Sequence, residues 1–305
     1  MTIEIKVPTP TQKIISLSQT KQNELQKASI QSATGNRYED FQGYASEGTV
    51  ERYISLDSSI KATDTYIKSN EIIQARTQTI EQSLEQIVVV ARDVISTISQ
   101  RNNGASGENI PIDVITDSYF QSIESILNTR SDGIYLFAGT KTDTKPVVNA
   151  NSSNVDSTTL VTSASYYQGN SAIASVNISQ SEVLSYGVTA NDPAFQELIG
   201  AIHLLIEADA SGDTELLGKA LDMANSANER IVSLAASARS ASNRLAKINT
   251  VHTSVGTLLF ESFSDVAFIR LEIAATKMIE LEAIIEASYL AFNRLSNLKL
   301  SNFLS

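Results

Sequence analysis

Apolar residues recur in alternating steps of three and four along most of this chain. The longest run is Leu217, Ala220, Ala224, Ala227, Ile231, Leu234, Ala238, Ala241, Leu245, Ile248, His252, Val255 and Leu259. That is a sustained heptad seam, and it predicts one helix from Glu215 to Leu259. Only Gly218 in its first turn and Gly256 near its end interrupt it. Such a helix would be roughly 70 Å long at about 1.5 Å per residue. Its many alanines imply close approach of a partner helix. A second seam runs Ile80, Leu84, Ile87, Ala91, Val94, Ile98, and continues more weakly upstream through Ile60 and Ile67. It stops at the loop cluster RNNGASGEN. A shorter helix is marked by Ile112, Ile115, Tyr119, Ile123 and Ile126. Pro111 is placed for its first turn, and the helix ends before Asp132-Gly133.

The last seam is Leu271, Ala274, Met278, Leu281, Ile285, Ser288, Phe292, Leu295. Between it and the long helix, FESFSD (260–265) predicts a break or kink. Gln12 to Ser32 is helix-prone, although its apolar positions (Ile14, Leu17, Leu25, Ala28, Ile30) are sparse and irregular. From Ala138 to Ala190 the helical period vanishes. Val, Ile, Thr, Ser and Tyr alternate partially there with Asn/Gly/Ser punctuation, which reads as a small β-rich insert. Helix resumes at NDPAFQELIGAIHLL, with Asp192 as N-cap and Pro193 at the first helical position. The expected fold is therefore mainly α with a small β-rich insert. The N- and C-terminal helices pair as the shaft of an elongated helical rod, and the insert lies at its far end. The expected segments are 1–45 (N-terminal assembly segment), 46–137 (first half of the rod), 138–190 (β-rich insert), 191–262 (second half) and 263–305 (C-terminal assembly helix).

Composition narrows the function. Aromatics make up 6% of 305 residues and there is no Trp, which suits long, narrow helical packing. The net charge of −11 argues against a nucleic-acid partner, whose phosphates need clustered Lys and Arg. The absence of Cys excludes disulfides, thiolate metal sites and cysteine nucleophiles. MTIEIKVPTPTQK has no apolar core of signal-peptide length, and no stretch approaches the roughly 20 apolar residues of a membrane span. Export by a route without a cleaved signal peptide stays open.

Candidate chemistry is thin. His203 and His252 each lie on a helix without ligand spacing around them. SGDTELLGKA has five residues between Gly212 and Gly218 where a phosphate loop wants four, and Ala220 where it wants Ser or Thr. Glu282 and Glu286 sit four apart on one helix face, but a carboxylate metal site needs ligands from other helices too. No catalytic residue, cofactor or metal site is expected, and the chain does not read as an enzyme.

Several stretches nevertheless form a recognisable set. LEAIIEASYLAFNRLSNLKLSNFLS at the C-terminus resembles the closing helix and Leu-rich tail of the flagellin-like superfamily. SATGNRYEDFQGYASEGTVERYISLDSSIKATDTYIKSN is similar to its Ser-Thr-Gly turn and long second helix. NTRSDGIYLFAGTKTDTKPV resembles the element that enters the β domain of hook–filament junction proteins, with Asp132, Gly133, Tyr135, Phe137 and Gly139 at the characteristic positions. YQGNSA (167–172) and YGVTANDPAF (186–195) resemble the strand and exit segments of that domain. The start, MTIEIKVPTPT, and RYEDFQGYASEG depart from the flagellin pattern, and the second departure favours a junction protein.

The resemblance implies a structural part of the bacterial flagellum, extracellular, joining hook to filament. Its implied partners are further copies of itself in a ring, an adjoining hook-associated protein on the hook side, flagellin on the filament side and an export chaperone, with no nucleic acid and no membrane. Leu271, Met278, Leu281, Ile285, Phe292 and Leu295 are the residues expected to carry subunit assembly. One seam against one sparse N-terminal partner buries little, so both ends are expected to order when neighbouring subunits complete the burial. Filament flagellin is the alternative reading. A type III needle-tip or other extracellular coiled-coil protein is a second. Asp132–Gly139 reads as a structural corner, with Gly133 at positive φ and with Tyr135 and Phe137 on one side of an extended segment.

Overall fold

A computed structural model describes residues 9–102, 110–153 and 155–301, with side chains as far as Leu295. The opening residues, most of the RNNGASGEN loop and the Leu-rich tail therefore lie outside the described side chains. The chain packs as two units, one formed by residues 1–63 with 254–305 and one by 64–253. Two long helices contribute to both: α3 (Val50–Asn102) and α6 (Thr214–Ala267).

In the 64–253 unit the predicted seams are the core. Ile80, Leu84, Ile87, Ala91, Val94 and Ile98 of α3 are all at most 1% exposed. They share a cluster with Ala220, Ala224, Ala227, Ile231 and Ala238 of α6. α4 (Ile112–Leu127) adds Ile112, Phe120, Ile123 and Leu127. α5 (Pro193–Ser211) buries residues nearly all round, from Phe195 through Leu198, Ile199, Ile202, Leu204 and Leu205 to Ala208. A helix apolar on every side must lie inside, and this one does. It starts as predicted, with Asp192 accepting from the Ala194 amide at 3.0 Å and Pro193 at N1, and stops at Gly212 in the left-handed region.

The insert is sparser in strand than its composition promises. Among the described residues it holds three separate antiparallel hairpins and a short 3-10 turn at Ala150–Ser152. The hairpins are β1 (Arg130–Ser131) with β2 (Ile134–Tyr135), β3 (Val155–Asp156) with β4 (Val161–Thr162), and β5 (Ser175–Ser179) with β6 (Glu182–Ser185). The first precedes the expected boundary at 138. A second small core gathers Ile178 and Leu184 of the last hairpin with Ile73 of α3 and Ala241 and Leu245 of α6.

In the other unit α1 (Pro10–Thr34) opens with a capping box. The Thr9 amide donates to Gln12 Oε1 at 2.9 Å, and the Gln12 amide to Thr9 Oγ1 at 3.4 Å. α1 closes at Gly35, in the left-handed region, and packs along α7 (Leu271–Ser301). A short α2 (Phe41–Ser46) starts at Asp40, which accepts from the Gly43 amide. The break expected at 260–265 is not there. α6 continues to Ala267, because FESFSD contains no proline or glycine and its Phe263 packs on Tyr53 at 4.9 Å. The break falls instead at Phe268–Arg270, where the backbone crosses the end of α1. Asn36 bridges Phe268, the Arg37 amide donates to the Ala267 carbonyl at 2.8 Å, and the Ile269 amide donates to the Gly35 carbonyl at 2.9 Å.

Candidate functional site

The corner singled out in the sequence is a two-residue hairpin. Arg130 pairs with Tyr135 and Ser131 with Ile134, and both turn residues have positive φ, 51° at Asp132 and 81° at Gly133. This is the primed turn that Asp-Gly favours, because its twist matches that of the strands it joins. Arg130 covers the Tyr135 ring at 4.7 Å from its centroid and donates to the Gly133 carbonyl. Arg76 of α3 lies 3.6 Å from the Asp132 carboxylate.

Tyr135 and Phe137 part company. β2 ends at Tyr135, which stays half-buried beneath Arg130. Leu136, Phe137 and Ala138 enter the core, and Phe137 meets Phe195 of α5 edge to face at 6.4 Å. Their expected placement on one side assumed extended backbone through residue 137.

Gly139 holds the corner to the YQGNSA segment. Its φ is 68°, and a Cβ there would collide with the backbone and side-chain oxygens of Asn170. Asn170 is held from several directions. Its amide donates to the Ala138 carbonyl at 3.1 Å, its Oδ1 accepts from the Thr140 amide at 2.9 Å, and its carbonyl accepts from the Tyr167 hydroxyl at 2.6 Å. The exit segment is tied in as well. The Ala190 amide donates to the Phe137 carbonyl at 2.9 Å, and the fully buried Tyr166 donates its hydroxyl to the Ala190 carbonyl at 2.9 Å. Burial pushes the Tyr166 hydroxyl far above the ordinary tyrosine range, so it remains a donor. At the start of the corner, Asn128 exchanges two hydrogen bonds with the backbone of Val147, at 2.9 and 3.0 Å. Phe137 and Gly139 thus lie in one joint, which Asn128, Tyr166 and Asn170 complete, while Asp132, Gly133 and Tyr135 form the hairpin that leads into it. Asn128 and Asn170 lie within the stretches that carry the resemblance, and Tyr166 just outside them, but sequence singles out none of the three because their partners lie many residues away.

The last hairpin has its own anchor. The Ile178 carbonyl accepts from Asn70 Nδ2 at 3.1 Å and faces His252 Nε2 at 2.8 Å, which requires the Nε2–H tautomer. Asn70 is fully buried and also donates to Asn249 Oδ1 at 3.0 Å, while the His252 ring stacks on Tyr66. His252 is therefore a structural donor to the hairpin rather than a mere filler of the seam. His203 packs on Phe120 at 4.9 Å with its Nε2 buried and unpaired, and burial holds its pKa below the ordinary histidine value. No group of three or more metal-capable side chains occurs among the described residues.

The residues expected to carry assembly divide between two surroundings. Leu281 and Ile285 are buried in the chain itself, with Ala274 and Ser288, on the face of α7 that meets α1. Met278, Phe292 and Leu295 are half-buried, and Leu271 is exposed. Phe292 lines a groove of about 370 Å³ with Ile14, Ile15, Ser18 and Tyr289. Leu271 (55% exposed) is thus the one expected assembly residue left in the open, where it joins Ile279 (69%) and Leu290 (59%). In the same unit six aromatics crowd together: Tyr38, Phe41, Tyr44, Tyr53, Phe263 and Phe268. Tyr53 is at their centre, meeting Phe41, Tyr44 and Phe263, and the buried Tyr44 donates to the Ala267 carbonyl at 3.1 Å.

Two solved structures share this fold. One is a protein of Vibrio parahaemolyticus described as a flagellar hook-associated protein, at a TM-score of 0.56 and 15% identity, over 71% of this chain and 96% of that one. The other is FlgL of Bacillus cereus, at a TM-score of 0.53 and 13% identity, over 68% of this chain and 98% of that one. No protein-family model matches the chain, and a search of curated proteins finds no significant match.

Proposed function

We propose that this chain is a structural subunit of the bacterial flagellum that joins the hook to the filament and assembles through its terminal helices. The observation that carries the reading is the shared fold, which takes in almost the whole length of two flagellar proteins, one of them the junction protein FlgL. The hairpin corner at Asp132–Gly139, read from sequence as the way into a junction protein's β domain, supports it. So does the rest of the site, whose polar groups are engaged in holding backbone together. In this role the chain forms a ring of its own copies, meets a hook-associated protein on one side and flagellin on the other, and leaves the cell with an export chaperone. It has no catalytic task.

Immunogold labelling of intact flagella tests the proposal. A single band at the hook–filament boundary is expected. Label along the whole filament would make the chain a flagellin, and flagella without label would overturn the flagellar reading.

A further inference from the structure

α1 and α7 each carry a second stripe, at heptad spacing, on the side turned away from their mutual contact. On α7 it runs Glu272, Thr276, Ile279, Ala283, Glu286, Leu290, in steps of four, three, four, three and four, and every member is exposed. On α1 it runs Lys13, Ser16, Thr20, Asn23, Lys27, in steps of three, four, three and four, again all exposed. Neither stripe serves the packing within the chain, which uses Ala274, Leu281, Ile285 and Ser288 on α7 and Ala28 on α1.

The two stripes are complementary in charge, and the charges are in register. Glu272 and Glu286 lie fourteen residues apart, and so do Lys13 and Lys27, a separation of about 21 Å at 1.5 Å per residue. Among the described residues neither lysine nor Glu286 has an ion-pair partner, and Glu272 has only a contact at 3.8 Å to the exposed Arg270. Between the carboxylates the α7 stripe offers Ile279 and Ala283. Between the lysines the α1 stripe offers short side chains that let a helix approach. Within the chain the helices are antiparallel, as the Gly35–Ile269 crossing and the bond from Gln22 Nε2 to the Tyr289 hydroxyl show.

We infer that the occupant of the α7 stripe is the α1 stripe of a second copy of this chain, with Lys27 against Glu272 and Lys13 against Glu286. Because the two surfaces differ, the contact is heterologous: each copy uses one face and leaves the other for the next. Such contacts generate rings or helices rather than closed pairs. The inference rests on the assembly role proposed above and names the faces that perform it.

Charge exchange in the cell that encodes the chain tests it. Lys13→Glu with Lys27→Glu, and separately Glu272→Lys with Glu286→Lys, are each expected to lower incorporation into flagella at least tenfold, read by immunogold label. The chain carrying all four substitutions is expected to recover at least half. Circular dichroism of each purified variant checks that its helices are intact. Normal incorporation of either double variant, or a folded fourfold variant as defective as the doubles, overturns the pairing. If the unaltered chain labels no flagella, the flagellar role fails instead. The pairing is then read by sedimentation of the concentrated chains at low salt, where the fourfold variant must associate like the parent and the doubles must not.

Discussion

Gly139→Ala is the sharpest test of the corner, because two separate costs converge on that residue. The first is conformational. At a φ of 68° a side chain pays about 1–2 kcal/mol for the left-handed region. The second is steric, since the new Cβ meets the carbonyl oxygen of Asn170 and its Oδ1. Neither can step aside cheaply, because Asn170 is bonded to Ala138, Thr140 and Tyr167. Overpacking of that kind adds about 1–3 kcal/mol. The sum, about 2–5 kcal/mol, corresponds to a roughly thirtyfold to several-thousandfold rise in local opening at 1.4 kcal/mol per tenfold. Gly133→Ala is the internal control. Its φ is 81° but nothing lies within 4 Å of the added methyl, so only the first cost applies. Hydrogen exchange of the full chain, resolved to the Thr140 and Asn170 amides, separates them. Gly139→Ala should accelerate both amides strongly, and Gly133→Ala should leave Asn170 close to the parent. If Asn170 stays as protected in Gly139→Ala as in the parent, the joint is not held in the way described.

Other outcomes follow from the remaining features. Asn70→Ala removes the donor to both Ile178 and Asn249 and should cost about 3–5 kcal/mol in the β5–β6 region, about 1 kcal/mol for each bond and about 1–3 kcal/mol for the stranded Asn249 Oδ1, the Ile178 carbonyl still facing His252; exchange at the hairpin amides measures it, and an unchanged hairpin would count against the anchor. His203 has its folded-state pKa depressed by burial, so its contribution is present above the unfolded value of 6.5 and is lost as pH falls through 6.5 and below. His203→Leu should flatten that part of the stability–pH curve in thermal unfolding, and an unaltered acid limb would refute it. Among the described side chains α1 buries only Ala28, and α7 only Ala274, Leu281, Ile285 and Ser288, so the amides of residues 10–34 and 271–295 in a verified monomer should exchange well before those of Ile80–Ile98. Equal protection would sink the expectation that the ends order on assembly.

What the sequence made legible was periodicity. The α3 seam from Ile80 to Ile98 appears in the core residue for residue, and the α6 seam does so as far as Leu245 except for half-buried Leu234, because a heptad repeat names the buried face without reference to any partner. Beyond Leu245 it loosens, with Ile248, His252 and Leu259 half-buried and Val255 exposed. Asp192-Pro193 and Asp132-Gly133 were readable for a similar reason: capping and turn chemistry are local. What escaped was set by contacts distant in sequence. The chain breaks at Phe268 through pairing with Asn36, and no proline or glycine marks the spot. The β5–β6 hairpin turns at Gln180-Ser181, which carries no turn signature, and it is held by Asn70 and His252 from two different helices. On α7 the seam that drew attention, with Leu281 and Ile285, is spent within the chain. The stripe that remains open mixes Ile279, Ala283 and Leu290 with two glutamates and a threonine, too broken a set for a hydrophobic pattern to bring forward.

The crossing of residues 35–37 with 267–269 has a mechanical consequence. Tension that peels α1 away from α7 meets little resistance along the helices, where few side chains interlock. It is arrested at the crossing by two backbone hydrogen bonds between residues 35–37 and 267–269 and by the hydroxyl of Tyr44 in α2, which donates to the Ala267 carbonyl at the end of α6. Rupture therefore has a natural stopping place. The terminal helices can part and rejoin like the two jaws of a clip, while the pivot that aligns them stays closed.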